Sequence, residues 1–164
     1  MNIARYCSLT SAAPVLALAL LLGGCGGRQA PKTDLHPIDQ GRAVLLMQEA
    51  IESNGVKPAP GHDVDLGEGK KLHVDLLVGS TGYGIAYVTA YEAEALGKSL
   101  PQRRNSEEMR IQPVGDLHVL LLYDDGYQYD AGETHSQTAV AAEGKLKRDV
   151  ADYMLRVVKS HESK

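Results

Sequence analysis

The sequence predicts an α+β domain with a mostly antiparallel sheet of about five or six strands, an N-terminal helix and a C-terminal amphipathic helix. Short runs bounded by glycine, several of them alternating between apolar and polar residues, fill the middle of the chain, as is typical of strands. Apolar residues recur at helical spacing before and after these runs. One run, LHVLLLY at residues 117–123, is apolar on both sides, which indicates a central strand.

The first helix is predicted over residues 39–53. Asp39 is a suitable N-cap because its carboxylate can accept a hydrogen bond from a free backbone N–H of the first turn. Asn54 and Gly55 then provide a left-handed stop. The side chains that follow one side of this helix are Val44, Leu45, Met47, Gln48 and Ile51.

A hairpin is predicted from a strand at residues 62–66 and a strand at residues 70–76. A two-residue loop would mix apolar and polar side chains on each face. A three-residue loop at residues 67–69, with Gly69 at positive φ, collects the apolar side chains on one face, so we choose this register. The side chains on that face are Val64, Leu66, Leu72, Val74 and Leu76.

The polar face of this hairpin carries a cluster of carboxylates and imidazole. The chosen register sets Asp65 opposite Lys71 and Asp63 opposite His73, and it places Asp75 on the same face. Such side chains can bind a divalent metal ion, so Asp63, Asp65, His73 and Asp75 are candidate ligand-binding or metal-binding residues. The favoured interpretation is a solvated face with weak ion pairs, since Lys71 opposes a bound cation.

The second half of the chain is predicted to complete the sheet and to end in a helix. The predicted elements are a turn at 79–82, strands at 83–89, 109–114, 117–123 and 127–130, a helix at 91–97 and a loop at 100–108. Asp125-Gly126 favours a hairpin between the last two strands. Gly144 weakens the start of the final helix, so residues 136–141 are compatible with helix or with a further strand. The residues at helical spacing in the final helix are Leu146, Val150, Tyr153, Met154, Val157 and Val158.

The first 24 residues have the organisation of a signal peptide. Arg5 is their single charge, and residues 12–22 form an apolar run of eleven residues, where a membrane span needs about 20. Small residues and a cysteine follow at once. The stretch Leu22-Gly23-Gly24-Cys25 resembles the lipobox of bacterial lipoproteins, in which a leucine stands three residues before the cysteine.

This resemblance covers the N-terminal segment alone and implies a covalent lipid on Cys25. In that family the cysteine thiolate receives diacylglycerol, the chain is cut before the cysteine, and the new amine is acylated. The chain is therefore divided into a signal peptide (1–24), a lipidated flexible tether (25–37) and one globular domain (38–164). Aspartate at the position of Gly26 retains enterobacterial lipoproteins in the inner membrane, so Gly26 favours the outer membrane.

Cysteine usage and charge agree with a domain outside the cytoplasm. Processing would remove Cys7 and lipidation would consume Cys25, which leaves the domain without a thiol, a disulfide or a cysteine metal site. Loss of Arg5 changes the formal charge from −4 to −5. This mildly acidic balance gives no reason to expect a nucleic-acid partner.

Further motifs fall short of a recognisable active site. The glycine-rich residues 79–84 precede a strand pattern, whereas a phosphate loop precedes a helix. The strand with Asp75 followed by a second strand resembles restriction-type nucleases, but Ala86-Tyr87-Val88 stands where their Glu-x-Lys triplet is required. Tyr127 and Tyr129 could stack on a ligand, although tyrosines on a sheet are more often packing residues.

These features favour a non-enzymatic lipoprotein of the cell envelope that is held on the membrane by lipid and binds another envelope protein. No cofactor is expected apart from the covalent diacylglycerol and N-acyl chain on Cys25. Two alternatives stay open: a domain that binds a small ligand or a metal ion, and a hydrolase whose site is assembled from scattered residues.

Overall fold

A computed structural model describes residues 32–100 and 110–162, which belong to one compact unit. Three α-helices and nine strands lie within these two ranges, and they confirm the predicted α+β class. The helices are α1 (Gln40–Ser53), α2 (Ala90–Leu96) and α3 (Ala139–Glu162). The strands are β1 (Leu35–Pro37), β2 (Pro58–Pro60), β3 (Asp63–Gly67), β4 (Lys70–His73), β5 (Leu76–Val78), β6 (Tyr83–Val88), β7 (Arg110–Val114), β8 (Leu117–Tyr123) and β9 (Gln128–Asp130).

The central sheet has five strands in the order β2-β5-β6-β8-β7. Its neighbours are antiparallel except for β6 and β8, which run parallel. Strand β8 lies between β6 and β7, so the prediction of a central strand at residues 117–123 is confirmed. The parallel pair was not predicted, and it requires the crossover that α2 begins.

The sheet is buried on both faces, which explains why β8 lacks alternation. Helices α1 and α3 pack on one face, where Leu120 and Leu122 join their side chains. On the other face Val119 and Leu121 pack with residues of the β3–β4 hairpin and α2. Successive residues of β8 therefore enter different hydrophobic cores, as the period of a strand requires.

The first and last helices lie where the sequence predicts them, but the predicted side of α1 is only partly right, because Leu45 is exposed. The buried residues of α1 are Ala43, Leu46, Met47, Ala50 and Ile51. Asp39 caps α1, where its carboxylate accepts a hydrogen bond from the Arg42 N–H at 3.2 Å, and Gly55 follows the helix at a φ of 76°. Helix α3 begins at Ala139, so the last three of residues 136–141 are helical. Its first turns are joined to α1 by an ion pair between Arg42 and Glu143 at 2.8 Å.

The predicted hairpin register is confirmed, but the predicted second strand is too long. Asp63 pairs with His73 and Asp65 with Lys71. Strand β4 ends at His73, and the prediction that Leu76 shares the apolar face of the hairpin is wrong, because Leu76 packs in the core beside α1 and α3.

The chain passes from the hairpin to the central sheet between Val74 and Asp75. The Val74 N–H still donates to His62 in the hairpin, whereas the Asp75 N–H donates to Ile85 in β6. Gly61 is required at this crossing, since a Cβ there would lie 1.7 Å from the Val74 carbonyl oxygen. The alternation of residues 70–76 continues through this crossing and does not reveal it.

The predicted hairpin between β8 and residues 127–130 is wrong. Strand β9 pairs with β1 instead, and Leu35 lies opposite Asp130. Both edges of β8 are already occupied by β6 and β7, so no edge is open to β9. A 3₁₀ turn over Asp124–Gly126 directs the chain away from the sheet.

Helix α2 begins one residue before the predicted range because Thr89 and Glu92 form a capping box. Gly97 follows the helix at a φ of 52°. Residues 101–109, most of the predicted loop, lie outside the described residues.

The predicted leader and Cys25 also lie outside the described residues. Residues 32–37, the end of the predicted tether, are part of the fold, since they include β1 and contact the chain after β9. Among the described helices, none combines the length and the apolar character that a membrane span needs.

Candidate functional site

The Asp/His face of the hairpin brings two of the predicted ligands together. The His73 Nδ1 lies 2.7 Å from Asp63 Oδ1, and about half of each side chain is exposed. The hydrogen bond from His73 holds the pKa of the Asp63 carboxyl below its usual range. Because both side chains are half exposed, the pair is accessible to solvent and to a ligand. An ion pair this exposed contributes little to the stability of the domain.

The other two predicted ligands do not complete a site with this pair. Asp65 lies opposite Lys71, and its carboxylate accepts a 2.7 Å hydrogen bond from the Gly67 N–H at the turn of the hairpin. The prediction that Asp75 shares this face is wrong, because Asp75 follows the crossing into the central sheet. In the ranges that the structure describes, no group of three or more His, Cys, Asp or Glu side chains is placed to hold a metal ion.

Asp75 is held between α1 and β6 instead. Its carboxylate accepts a 2.7 Å hydrogen bond from the Tyr87 N–H and a 3.3 Å hydrogen bond from the Gln40 side-chain amide. Burial raises the pKa of Asp75 above its usual value. Tyr87 is the middle residue of the triplet that stands in place of Glu-x-Lys, and its backbone N–H faces this carboxylate.

The tyrosines of the predicted stacking site have different surroundings. Tyr127 is buried, and its hydroxyl donates to Asp149 at 2.8 Å. The Lys145 ammonium lies 4.4 Å from the centre of the Tyr127 ring, a cation–π contact. Tyr127 is therefore a core residue and not a ligand-stacking one, whereas Tyr129 is partly buried with its ring 6.0 Å from that of His36.

Tyr87 adds a second buried hydroxyl beside Tyr127. The two ring centres are 6.3 Å apart, and the Tyr87 hydroxyl donates to the carbonyl of Ile38 at 2.8 Å. Burial raises the pKa of Tyr87 well above its usual value. This hydroxyl is thus a neutral structural donor that holds the start of α1.

Among the described residues, Asp130 carries a carboxylate that accepts five hydrogen bonds, although the sequence did not indicate it as a site. Asp130 is buried, and one carboxylate oxygen accepts hydrogen bonds from the backbone N–H groups of Asp34 and Gly132, each at 2.9 Å. The other oxygen accepts from the Thr134 hydroxyl and from both the N–H and the hydroxyl of Ser136. These donors, with the Asp34 N–H first, lower the pKa of Asp130 to about 2.

Residues 32–37 and 130–136 form what we call the Asp130 clamp. The Ala131 N–H donates to Asp34 at 2.8 Å, and the Glu133 N–H donates to Lys32 at 3.2 Å. Gly132 permits this approach, since a Cβ there would lie 2.4 Å from the Lys32 carbonyl oxygen. The run of turn-forming residues after Asp130 indicates a turn in the sequence, but it does not indicate that this turn contacts residues 32–37.

The chain matches no protein-family model, and neither a curated protein nor a solved structure shows significant similarity to it.

Proposed function

We propose that this chain is an envelope lipoprotein, lipidated on Cys25, whose domain binds another envelope protein. The observation that carries the proposal is Leu22-Gly23-Gly24-Cys25 directly after an apolar run of eleven residues. The run fits the h-region of a signal peptide, and the small residues before the cysteine fit the access that a membrane peptidase needs. Gly26 supports the outer membrane as the destination.

The roles of the interior polar groups support a binding domain over an enzyme. Four of these groups each join two segments of the fold through the hydrogen bonds described above: Asp75, Tyr87, Tyr127 and Asp130. Asp124 likewise accepts a 2.8 Å hydrogen bond from the Ala90 N–H at the start of α2. Groups engaged in this way stabilise the domain, and they would have to leave their partners before acting as acids or bases.

Substitution of the two cysteines tests the anchor. In the full chain Cys25→Ser should abolish labelling by radioactive palmitate and leave an uncleaved precursor. Cys7→Ser is the matched control, because it removes the same group from the leader outside the lipobox-like stretch, and it should be labelled and cleaved normally. A Cys25→Ser protein that matures and stays on membranes would contradict the proposal.

Photocrosslinking in native membranes tests the partner. Tyr91 and Val140 are 81% and 80% exposed, so a photoreactive residue at either position should leave the fold intact. We expect one dominant crosslinked protein from at least one position, and loss of that product when Cys25→Ser is combined with it. Crosslinks spread over many proteins, or equally strong without the anchor, would contradict a specific envelope partner.

A second candidate function is ligand or metal binding at the exposed Asp63–His73 pair, favoured by its 2.7 Å contact. The test is calorimetric titration of the wild-type protein with zinc and with calcium, and the His73→Ala variant is titrated in the same way as the control. Saturable zinc binding that His73→Ala removes would support a site. Absence of zinc and calcium binding below millimolar concentration would exclude a metal site at this pair.

A further inference from the structure

We infer that the Asp130 clamp sets the orientation of the domain at the membrane. The end that carries the clamp faces the lipid surface, and the end that carries residues 79–82 faces away from it. This inference rests on the proposed lipidation of Cys25, and it assigns the lipid surface as the partner of one particular end of the domain.

The clamp makes Lys32 the point from which the domain is held. The carbonyl groups of Lys32 and Asp34 and the Asp34 N–H are bonded to the chain between Asp130 and Glu133. Seven residue steps separate Cys25 from Lys32, and a fully extended chain advances at most ~3.6 Å per residue. Lys32 therefore stays within about 25 Å of the lipidated residue.

The helices show which end of the domain this is. Helix α1 begins at the clamp end, where the Ile38 N–H donates to Tyr127 at 3.1 Å, and its 14 residues extend about 21 Å. Helix α3 begins soon after the clamp, and the Arg42–Glu143 ion pair joins its first turns to those of α1.

The same helix α3 reaches the opposite end of the sheet. The Tyr153 hydroxyl lies 3.1 Å from the Gly84 carbonyl oxygen and 2.9 Å from that of His118, near the starts of β6 and β8. The His118 N–H in turn donates to Gly82, which places residues 79–82 at this end. The distance between the clamp end and the end with residues 79–82 is thus roughly the length of α1, about 20 Å.

The charged residues at the clamp end indicate that the covalent anchor, and not adsorption of the domain to anionic lipid, keeps this end near the membrane. Among the described residues, the exposed carboxylates at this end include Asp34, Asp39, Asp125 and Glu133, and the exposed cations include Lys32 and Arg42, of which Arg42 is paired with Glu143. Adsorption to anionic lipid is driven by clusters of lysine and arginine, which this balance does not provide. The orientation should therefore not depend on anionic lipid, and it leaves the end with residues 79–82 open to a protein partner.

Single cysteines test the orientation, since the processed and lipidated chain would have no other thiol. Glu133→Cys lies in the clamp and keeps the backbone N–H that donates to Lys32, whereas Ser80→Cys lies at the opposite end; both positions are exposed. Each lipidated variant is labelled with a donor dye and bound to phosphatidylcholine vesicles that contain acceptor-labelled lipid. We expect more efficient energy transfer from Glu133→Cys than from Ser80→Cys, with the same order after anionic lipid is added. Equal or reversed efficiencies on vesicle-bound protein would overturn the inference.

A clamp variant tests whether the clamp is the cause. Asp130→Asn in both labelled backgrounds should narrow the difference in transfer efficiency, with circular dichroism as the measure of folding. If Asp130→Asn does not fold, Thr134→Ala removes one donor and serves as the milder variant. An undiminished difference in a folded clamp variant would overturn the role of the clamp. Failure of the anchor is distinguishable, because unlipidated protein would not float with vesicles at all.

Discussion

The backbone N–H of Asp34 donates a 2.9 Å hydrogen bond to the carboxylate of Asp130, 96 positions later in the chain. This contact makes the start of the described chain, predicted as the end of a tether, part of the fold. Directly beside it, the three residues of β1 pair with the three residues of β9. A two-stranded ribbon this short is marginal by itself, and the side-chain donors around Asp130 hold it in place.

Asp130→Asn should destabilise the domain and release residues 32–37. The amide keeps one oxygen acceptor but turns an NH₂ group toward backbone and hydroxyl donors, so favourable contacts become repulsive. We expect the midpoint of thermal unfolding to fall by several degrees and trypsin to cut after Lys32 more rapidly. Asp152→Asn, at an exposed carboxylate of α3, is the control, and an equal fall in the unfolding midpoint of both variants would show that the position of the charge is unimportant.

The pH dependence of this effect follows from the lowered pKa of Asp130. The folded value is about 2 and the ordinary value is 3.8, so the contribution is complete above about pH 4 and is lost as the pH falls toward 2. The difference in stability between wild type and Asp130→Asn should therefore be constant from pH 5 to neutrality and shrink toward pH 2. Denaturant unfolding at each pH measures it, and a difference that grows on acidification would contradict the assignment.

The parts of the fold that the sequence predicts correctly depend on residues close to one another in the chain. Helix α1 follows from the Asp39 cap and a few turns of apolar spacing. The hairpin register follows from a three-residue loop and the pairing of Asp63 with His73. In both cases a competing arrangement would expose apolar side chains, so local pattern and burial agree.

The parts of the fold that the sequence does not predict depend on contacts between residues far apart in the chain. Strand β9 follows a good hairpin signal at Asp125-Gly126, yet β8 has no free edge and β9 pairs with β1. Asp75 lies in a continuous alternating run, but its N–H and carboxylate pair with β6, so it leaves the predicted metal-binding face. The Asp130 clamp joins two loop-like segments whose composition indicates turns but not partners.

Substitution of Asp75 should distinguish a structural acceptor from a buried charge. Asp75→Ala leaves the Tyr87 N–H without its acceptor, which should cost about 1–3 kcal/mol. Asp75→Asn retains an acceptor and lacks the charge. Because burial raises the pKa of the folded Asp75, the wild type is favoured below about pH 4 and loses that advantage as the pH rises through the raised value. The free energy of unfolding of Asp75→Asn relative to wild type should therefore improve between pH 4 and pH 7, and a constant difference would contradict the buried-charge reading.

Two glycines should respond in opposite directions to alanine. At Gly132 the added Cβ would lie 2.4 Å from the Lys32 carbonyl oxygen, so the clamp must shift, and we expect a loss of about 1–3 kcal/mol. At Gly144, inside α3, the nearest contact of a Cβ is an ordinary 3.5 Å from the Arg148 guanidinium. Alanine is the better helix former there, and we expect a gain of about 0.5–1 kcal/mol. Urea unfolding of both variants is the measurement, and a stabilised Gly132→Ala would contradict the close approach in the clamp.

The Tyr153 hydroxyl ties α3 to the start of the parallel strand pair, and its removal should loosen that connection. Tyr153 is fully buried, and its O–H is shared between the carbonyl oxygens of Gly84 and His118. Tyr153→Phe preserves the ring and should lower the free energy of unfolding by about 0.5–1.5 kcal/mol. Tyr91→Phe, at a side chain that is 81% exposed, is the matched control and should stay within about 0.5 kcal/mol of wild type. Amide hydrogen exchange should localise the change to β6 and β8, because these strands carry the two acceptors. Equal effects of the two substitutions would show that the ring of Tyr153, and not its hydroxyl, holds the helix on the sheet.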